Sequence, residues 1–168
     1  MPEITNPREL FLHELGDILY VERKLVQETL PKLIGEVQDK EFKAGLKRHL
    51  TQTRGHVRNV EKAFKALGEK PEPEKCIGFE GLKSEHDKML GESSASLVDL
   101  VDLGATARTE AYEVAAYTAL VRMARGFGER EVVKLLDHNL KEDKAALREV
   151  EKHATRINNE TATALAAA

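Results

Sequence analysis

The chain has no tryptophan, three tyrosines, five phenylalanines and one cysteine in 168 residues. Cys76 alone cannot close an internal disulfide. The five prolines sit at 2, 7, 31, 71 and 73, which leaves long stretches without a helix breaker. No run is apolar enough for a signal peptide or a membrane span, so a cytoplasmic protein without membrane contact is expected. A net charge of -3 and the lack of a Lys/Arg tract argue against nucleic acid as a partner. What remains is 41% hydrophobic and 33% charged, dominated by Ala, Leu, Val, Glu and Lys, which favour helix. This length suits one domain with a core that needs neither disulfide nor structural metal to form. The expectation is a single all-α domain over 1–168, with ends at 1–6 and 156–168 that fray.

Hydrophobic spacing divides the chain. From about Pro7 to Val37, Phe11, Leu15, Ile18, Leu25 and Leu33 share a face, which predicts a long helix kinked at Pro31. Asp39 is an N-cap for a second helix through Phe42, Leu46, Leu50, Thr53, Val57, Val60 and Phe64, with a stop at Gly68. Two prolines in "GEKPEPEKC" break the pattern, and "FEGLKSEHDKML" predicts a short helix inside a long connection. A third long helix is expected over Ser93 to Arg125. After the turn "GFGERE" comes a fourth, carrying Val133, Leu136, Leu140, Leu147 and Val150. Two helical hairpins joined by one long crossover with a short helix describe a ferritin-like four-helix bundle. The second and fourth helices also align with each other. Val60-Glu61-Lys62 matches Val150-Glu151-Lys152, 90 positions on, with Arg58 against Arg148 and Leu50 against Leu140.

Polar residues interrupt the apolar faces. Glu22 follows Leu15 and Ile18 on the first helix. His56 enters the stripe of "HLTQTRGHV" three residues after Thr53. On the third helix Thr106, Glu110, Glu113 and Tyr117 recur at steps of three and four, and Asp143 sits between Leu140 and Leu147 on the fourth. Isolated carboxylates in a bundle interior would cost several kcal/mol each and raise one another's pKa values. Iron or manganese, singly or as a pair, offsets that cost, since oxygen ligands with a few imidazoles suit those metals. The di-metal pattern on such bundles takes one Glu from each of two helices and Glu-x-x-His from each of the other two. Here the two motifs are Thr53-x-x-His56 and Asp143-x-x-Ala146, so the set is thinned, with Glu113, Gln52 or Glu142 available to fill the gaps. His49 reads as a flank histidine and Cys76 as a small packing residue. Glu110 and Glu113 have an alternative in pairing with Arg108, Arg122 or a tyrosine.

The segments "FLHELGDILYVERKL", "HLTQTRGHV", "VEKAFKALG", "KCIGFEGL", "EAYEVAAYTAL" and "NLKEDKA", taken in order, resemble the YciE/YciF-like family of ferritin-like stress proteins over about residues 8 to 152. That resemblance implies a ferritin-like bundle, commonly a homodimer, linked with bacterial stress responses and similar to rubrerythrin around a di-metal centre. Carried over by position, its candidate metal ligands are Glu22, His56, Glu110, Glu113 and Asp143. Thr51 departs from the acidic residue common in relatives, but it points away from the core. The expected function is therefore metal binding, with oxygen or peroxide redox activity as its extension. The rival is a metal-free helical bundle acting as a structural or adaptor protein through dimerisation or a stress partner, which Thr53 and Ala146 favour. A single metal at reduced coordination is a third reading.

Overall fold

The computed structural model describes residues 3–166, and every regular element among them is helical. Helix α1, Pro7–Lys24, starts where Asn6 Oδ1 accepts from the Glu9 amide at 3.0 Å and Pro7 occupies the first turn. It runs through a π-helical turn, Leu25–Thr29, into α2, Leu30–Glu36. The widened turn lies just before Pro31, which has no amide hydrogen to continue the α-helical ladder, so a π-helical turn stands ahead of the proline where the sequence predicts a kink at Pro31.

Asp39 caps α3, Lys40–Ala66, by accepting from the Phe42 amide at 2.8 Å. Helix α4, Ile77–Glu92, lies in the crossover. A short 3₁₀ turn, Ala95–Leu97, then leads to α5, Val98–Gly126. Helix α6, Arg130–Ala166, ends the described chain, so the stretch expected to fray from 156 is helical as far as 166. Gly68 and Gly128 have φ of +79° and +76°. Each terminates a long helix by letting the next amide reach back, Glu69 to the Phe64 carbonyl and Glu129 to that of Ala124, as in a Schellman motif.

The long helices close into a ring, in which α1 packs on α3, α3 on α6, α6 on α5 and α5 on α1, while α4 lies against α5. Phe11, Leu15, Leu19, Val60, Leu120 and Leu136 fill the interior. At one end the Asp99 carboxylate accepts from the amides of Gln38 and Asp39 at 2.7 and 2.9 Å, tying α5 to the α2–α3 link. No helix among the described residues is long and apolar enough to cross a membrane.

Candidate metal centre

Spacing by three or four residues places polar groups from all four ring helices at one depth. Glu22 from α1, His49, Thr53 and His56 from α3, Glu110 and Glu113 from α5, and Asp143 from α6 are all buried. They gather into two triads. In one, Glu22, His56 and Asp143 each offer a ligand atom within 4.8 Å of the others; in the second, His49, Glu110 and Glu113 do the same. All five residues expected from the sequence are thus brought together in two groups. His49, expected on a flank, is the sixth member.

The first triad is tied down from one side. Tyr117 donates to Glu22 Oε1 at 2.5 Å, Asn139 donates to the Tyr117 hydroxyl at 2.9 Å, and Asn59 donates to Asn139 Oδ1 at 2.8 Å. His56 Nε2 lies 2.9 Å from Glu142 Oε2. Its Nδ1 faces Glu22 Oε1 at 3.2 Å and Asp143 Oδ1 at 3.4 Å without a hydrogen bond to either. In the second triad, His49 Nε2 approaches Glu110 Oε1 to 2.9 Å, again without hydrogen-bond alignment. Buried atoms are left without partners throughout: both Glu113 oxygens, both Asp143 oxygens, Glu22 Oε2, Glu110 Oε2 and both His49 nitrogens. Unsatisfied buried polar atoms are rare in native proteins, and among the described residues most of them lie in these two triads.

Without an ion, protons balance the charge. Desolvation pushes the Glu113 carboxyl well above its usual range, and the charges of Glu22, Asp143 and Glu110 push it further the same way. Burial likewise raises Asp143, helped by Glu22 and opposed by His56. For His56, burial favours the neutral ring, yet Glu22, Asp143 and Glu142 outweigh it and lift its pKa to about 10. His49 follows the same pattern, with burial overcome mainly by Glu110.

Thr53, in the place of a motif carboxylate, donates its hydroxyl to the His49 carbonyl at 2.8 Å and is spent within its own helix. Imidazoles and carboxylates have instead been divided between α3 and α6. The 90-residue shift sets His49 against Asn139, Thr53 against Asp143 and His56 against Ala146, so α3 carries both rings and α6 an acid. Ala146 lines a cleft of about 70 Å³ between α3 and α6 that reaches His49 and Glu110. The other polar residues weighed in the sequence have local roles. Cys76 Sγ caps α4 by accepting from the Phe79 amide at 3.2 Å and meets the Tyr112 hydroxyl at 2.9 Å. Arg108 reaches toward Glu85, at 4.0 Å, so its ion pair lies outside the triads.

Fold and site together define an all-helical protein whose core carries two carboxylate–imidazole triads with ligand atoms close enough to be candidate metal sites. The chain belongs to the family described as "Domain of unknown function (DUF892)", whose pattern matches residues 6–163, and within it is YciF-like. It is 28% identical to protein YciF of Escherichia coli strain K12 over 139 residues, 82% of this chain and 83% of that one. The crystal structure of the E. coli stress protein YciF superposes with a TM-score of 0.85 at 26% identity, covering 93% of this chain and 99% of that one. YcfI from Rhodopseudomonas palustris, whose assignment as a structural protein is provisional, gives the same TM-score at 32% identity over 89% of this chain and 95% of its own. A Xanthomonas campestris protein at 18% identity and TM-score 0.74 shares the fold, over 94% of this chain and 97% of that one.

Proposed function

We propose that this chain is a ferritin-like four-helix bundle of the stress-protein kind that holds a pair of iron or manganese ions in its core. The observation that carries the reading is the concentration of unpartnered buried atoms in the two triads, each with ligand atoms within 4.8 Å of one another. Charge supports it as well. Glu22, Glu110, Glu113 and Asp143 bring four negative charges when ionised, which two divalent ions balance with His49 and His56 neutral. Without ions the same carboxyls are pushed toward their protonated forms, which is the direction of the Glu113 and Asp143 pKa shifts.

Bound iron or manganese would supply Lewis acidity and a redox couple for oxygen or peroxide. The chain's own groups do the rest. Glu22, His56 and Asp143 hold one ion, and His49, Glu110 and Glu113 hold the other. Tyr117 fixes the Glu22 carboxylate, and Asn139 fixes Tyr117. Glu142, half-buried at the edge, accepts a hydrogen bond from His56 Nε2–H and sets the ring so that Nδ1 faces Glu22 and Asp143. Phe42, Leu46 and Ala146 keep the approach to His49 and Glu110 small and mostly apolar, a passage suited to a diatomic or peroxide-sized molecule. A homodimer belongs to the same proposal through the family resemblance, and elution at twice 18.8 kDa checks it.

The test is metal content of untagged protein expressed with added iron and manganese, compared with Glu113→Ala and His56→Ala. Near two ions per chain, falling in both variants, is the expected result. A wild-type protein that stays empty after anaerobic reconstitution overturns the reading. The metal-free structural role then takes its place, in line with the saturated Thr53 hydroxyl and with the assignment given to the R. palustris neighbour.

A further inference from the structure

A third group of buried acid and imidazole lies outside the core site, where the crossover helix meets the ring. His86 of α4 is buried, and its Nε2 stands 2.7 Å from Oδ1 of Asp102 on α5, which is completely buried. Glu36, at the end of α2, completes the set: one ligand atom from each residue lies within 4.8 Å of the other two. Two carboxylate oxygens here are buried with no partner, Asp102 Oδ2 and Glu36 Oε2. The nearby cation does not satisfy them. Lys32 is engaged with Asp87 at 2.6 Å and stays 4.0 Å from Glu36.

A hydrogen bond between His86 and Asp102 alone would lock α4 to α5, but it leaves the second Asp102 oxygen and the Glu36 oxygen stranded. We propose that Glu36, His86 and Asp102 form a third, mononuclear site for a divalent transition metal ion. Two carboxylates neutralise the ion and one imidazole adds the nitrogen that favours a first-row metal over magnesium or calcium, with water filling the remaining positions. Because the ligands come from α2, α4 and α5, the ion clamps the crossover helix to the ring. Its existence does not depend on the core pair.

Cobalt(II) titration of the metal-stripped full chain, followed by calorimetry and visible absorption, tests this. The wild type should bind one more Co²⁺ per chain than His86→Ala, and Co²⁺ should raise its melting temperature by an increment that His86→Ala partly loses. Glu36→Gln, at a partly exposed position, keeps the fold and should weaken the same binding step at least tenfold. His49→Ala and His56→Ala should leave that step intact. If the core binds nothing, the wild type still takes one Co²⁺, and His86→Ala abolishes it. Unchanged stoichiometry and affinity in both Glu36→Gln and His86→Ala, or a wild type that takes up no Co²⁺, overturns the proposal.

Discussion

His49 and His56 stand two turns apart on α3 with ring centroids 6.4 Å apart, and each ring meets a different pair of carboxylates. A seven-residue step returns to almost the same side of a helix, so one helix serves both triads. Asp143, in the first triad, feels the charges of Glu110 and His49 in the second, so the two are electrostatically one site.

From this division, His49→Ala and His56→Ala should each lose mainly one ion, and the double variant should lose both. Elemental analysis of protein from metal-supplemented cultures reads the result, with circular dichroism confirming the fold. Full metal content in either single variant would contradict the pairing of rings with triads.

Glu113 is poorly compensated in the metal-free protein. It is buried, neither oxygen has a partner, and three carboxylates surround it. Leaving a buried polar group unsatisfied costs about 1–3 kcal/mol, and an apolar side chain of similar size removes that cost. Glu113→Leu should therefore unfold at higher urea than wild type when both are stripped with chelator, and should lose the stabilisation that added metal gives the wild type. Lower stability of the stripped variant would show that Glu113 is satisfied in a way the geometry does not suggest.

At one end of the long helices, Asp39 caps α3 and accepts from Arg156 of α6 at 2.8 Å. Burial works against its charge, but the Phe42 amide and Arg156 outweigh it and hold the carboxyl below the usual 3.8. A carboxyl with a lower pKa folded than unfolded adds stability above its unfolded value, and that stability is lost as pH falls through the folded one. Asp39→Asn keeps the cap and removes the charge. It should cost about 0.5–1 kcal/mol at pH 7, as a partly exposed ion pair does, and the gap to wild type should close as the pH drops below about 4. Urea midpoints across that range measure it; a gap independent of pH would remove the ion pair from the account.

The fold was largely legible because helix signals here are local. Asp39 as cap, Gly68 as stop and the helix inside the crossover all follow from neighbours within a few residues. The burial of Glu22, His56, Glu110, Glu113 and Asp143 was legible too, since spacing alone sets the face. His49 was not. Its depth depends on Glu110, 61 positions away on another helix, and the spacing that put it beside His56 was equally consistent with a flank. In the sequence Thr53 is a gap in the ligand set, yet what the gap permits, a hydroxyl closed on the His49 carbonyl, needs the folded helix to be seen. Glu36, His86 and Asp102 come from three elements with no shared period, so no pattern in the sequence marks them as a group.

Ala146 gives the sharpest test of how small molecules reach the core. It stands where the 90-residue repeat would place a second motif histidine, and its methyl group borders the cleft leading to His49 and Glu110. An imidazole there is larger than the side chain it replaces by several heavy atoms, in a cleft with room for only about 70 Å³. Ala146→His should fill the passage while leaving all six triad residues unchanged. Metal loaded before purification should then be retained, and both its removal by a small chelator and its oxidation by peroxide should slow by the same factor, since both would use one route. If removal and oxidation proceed at wild-type rates, access runs elsewhere, and the alanine at this position reflects only the division of rings and acids between α3 and α6.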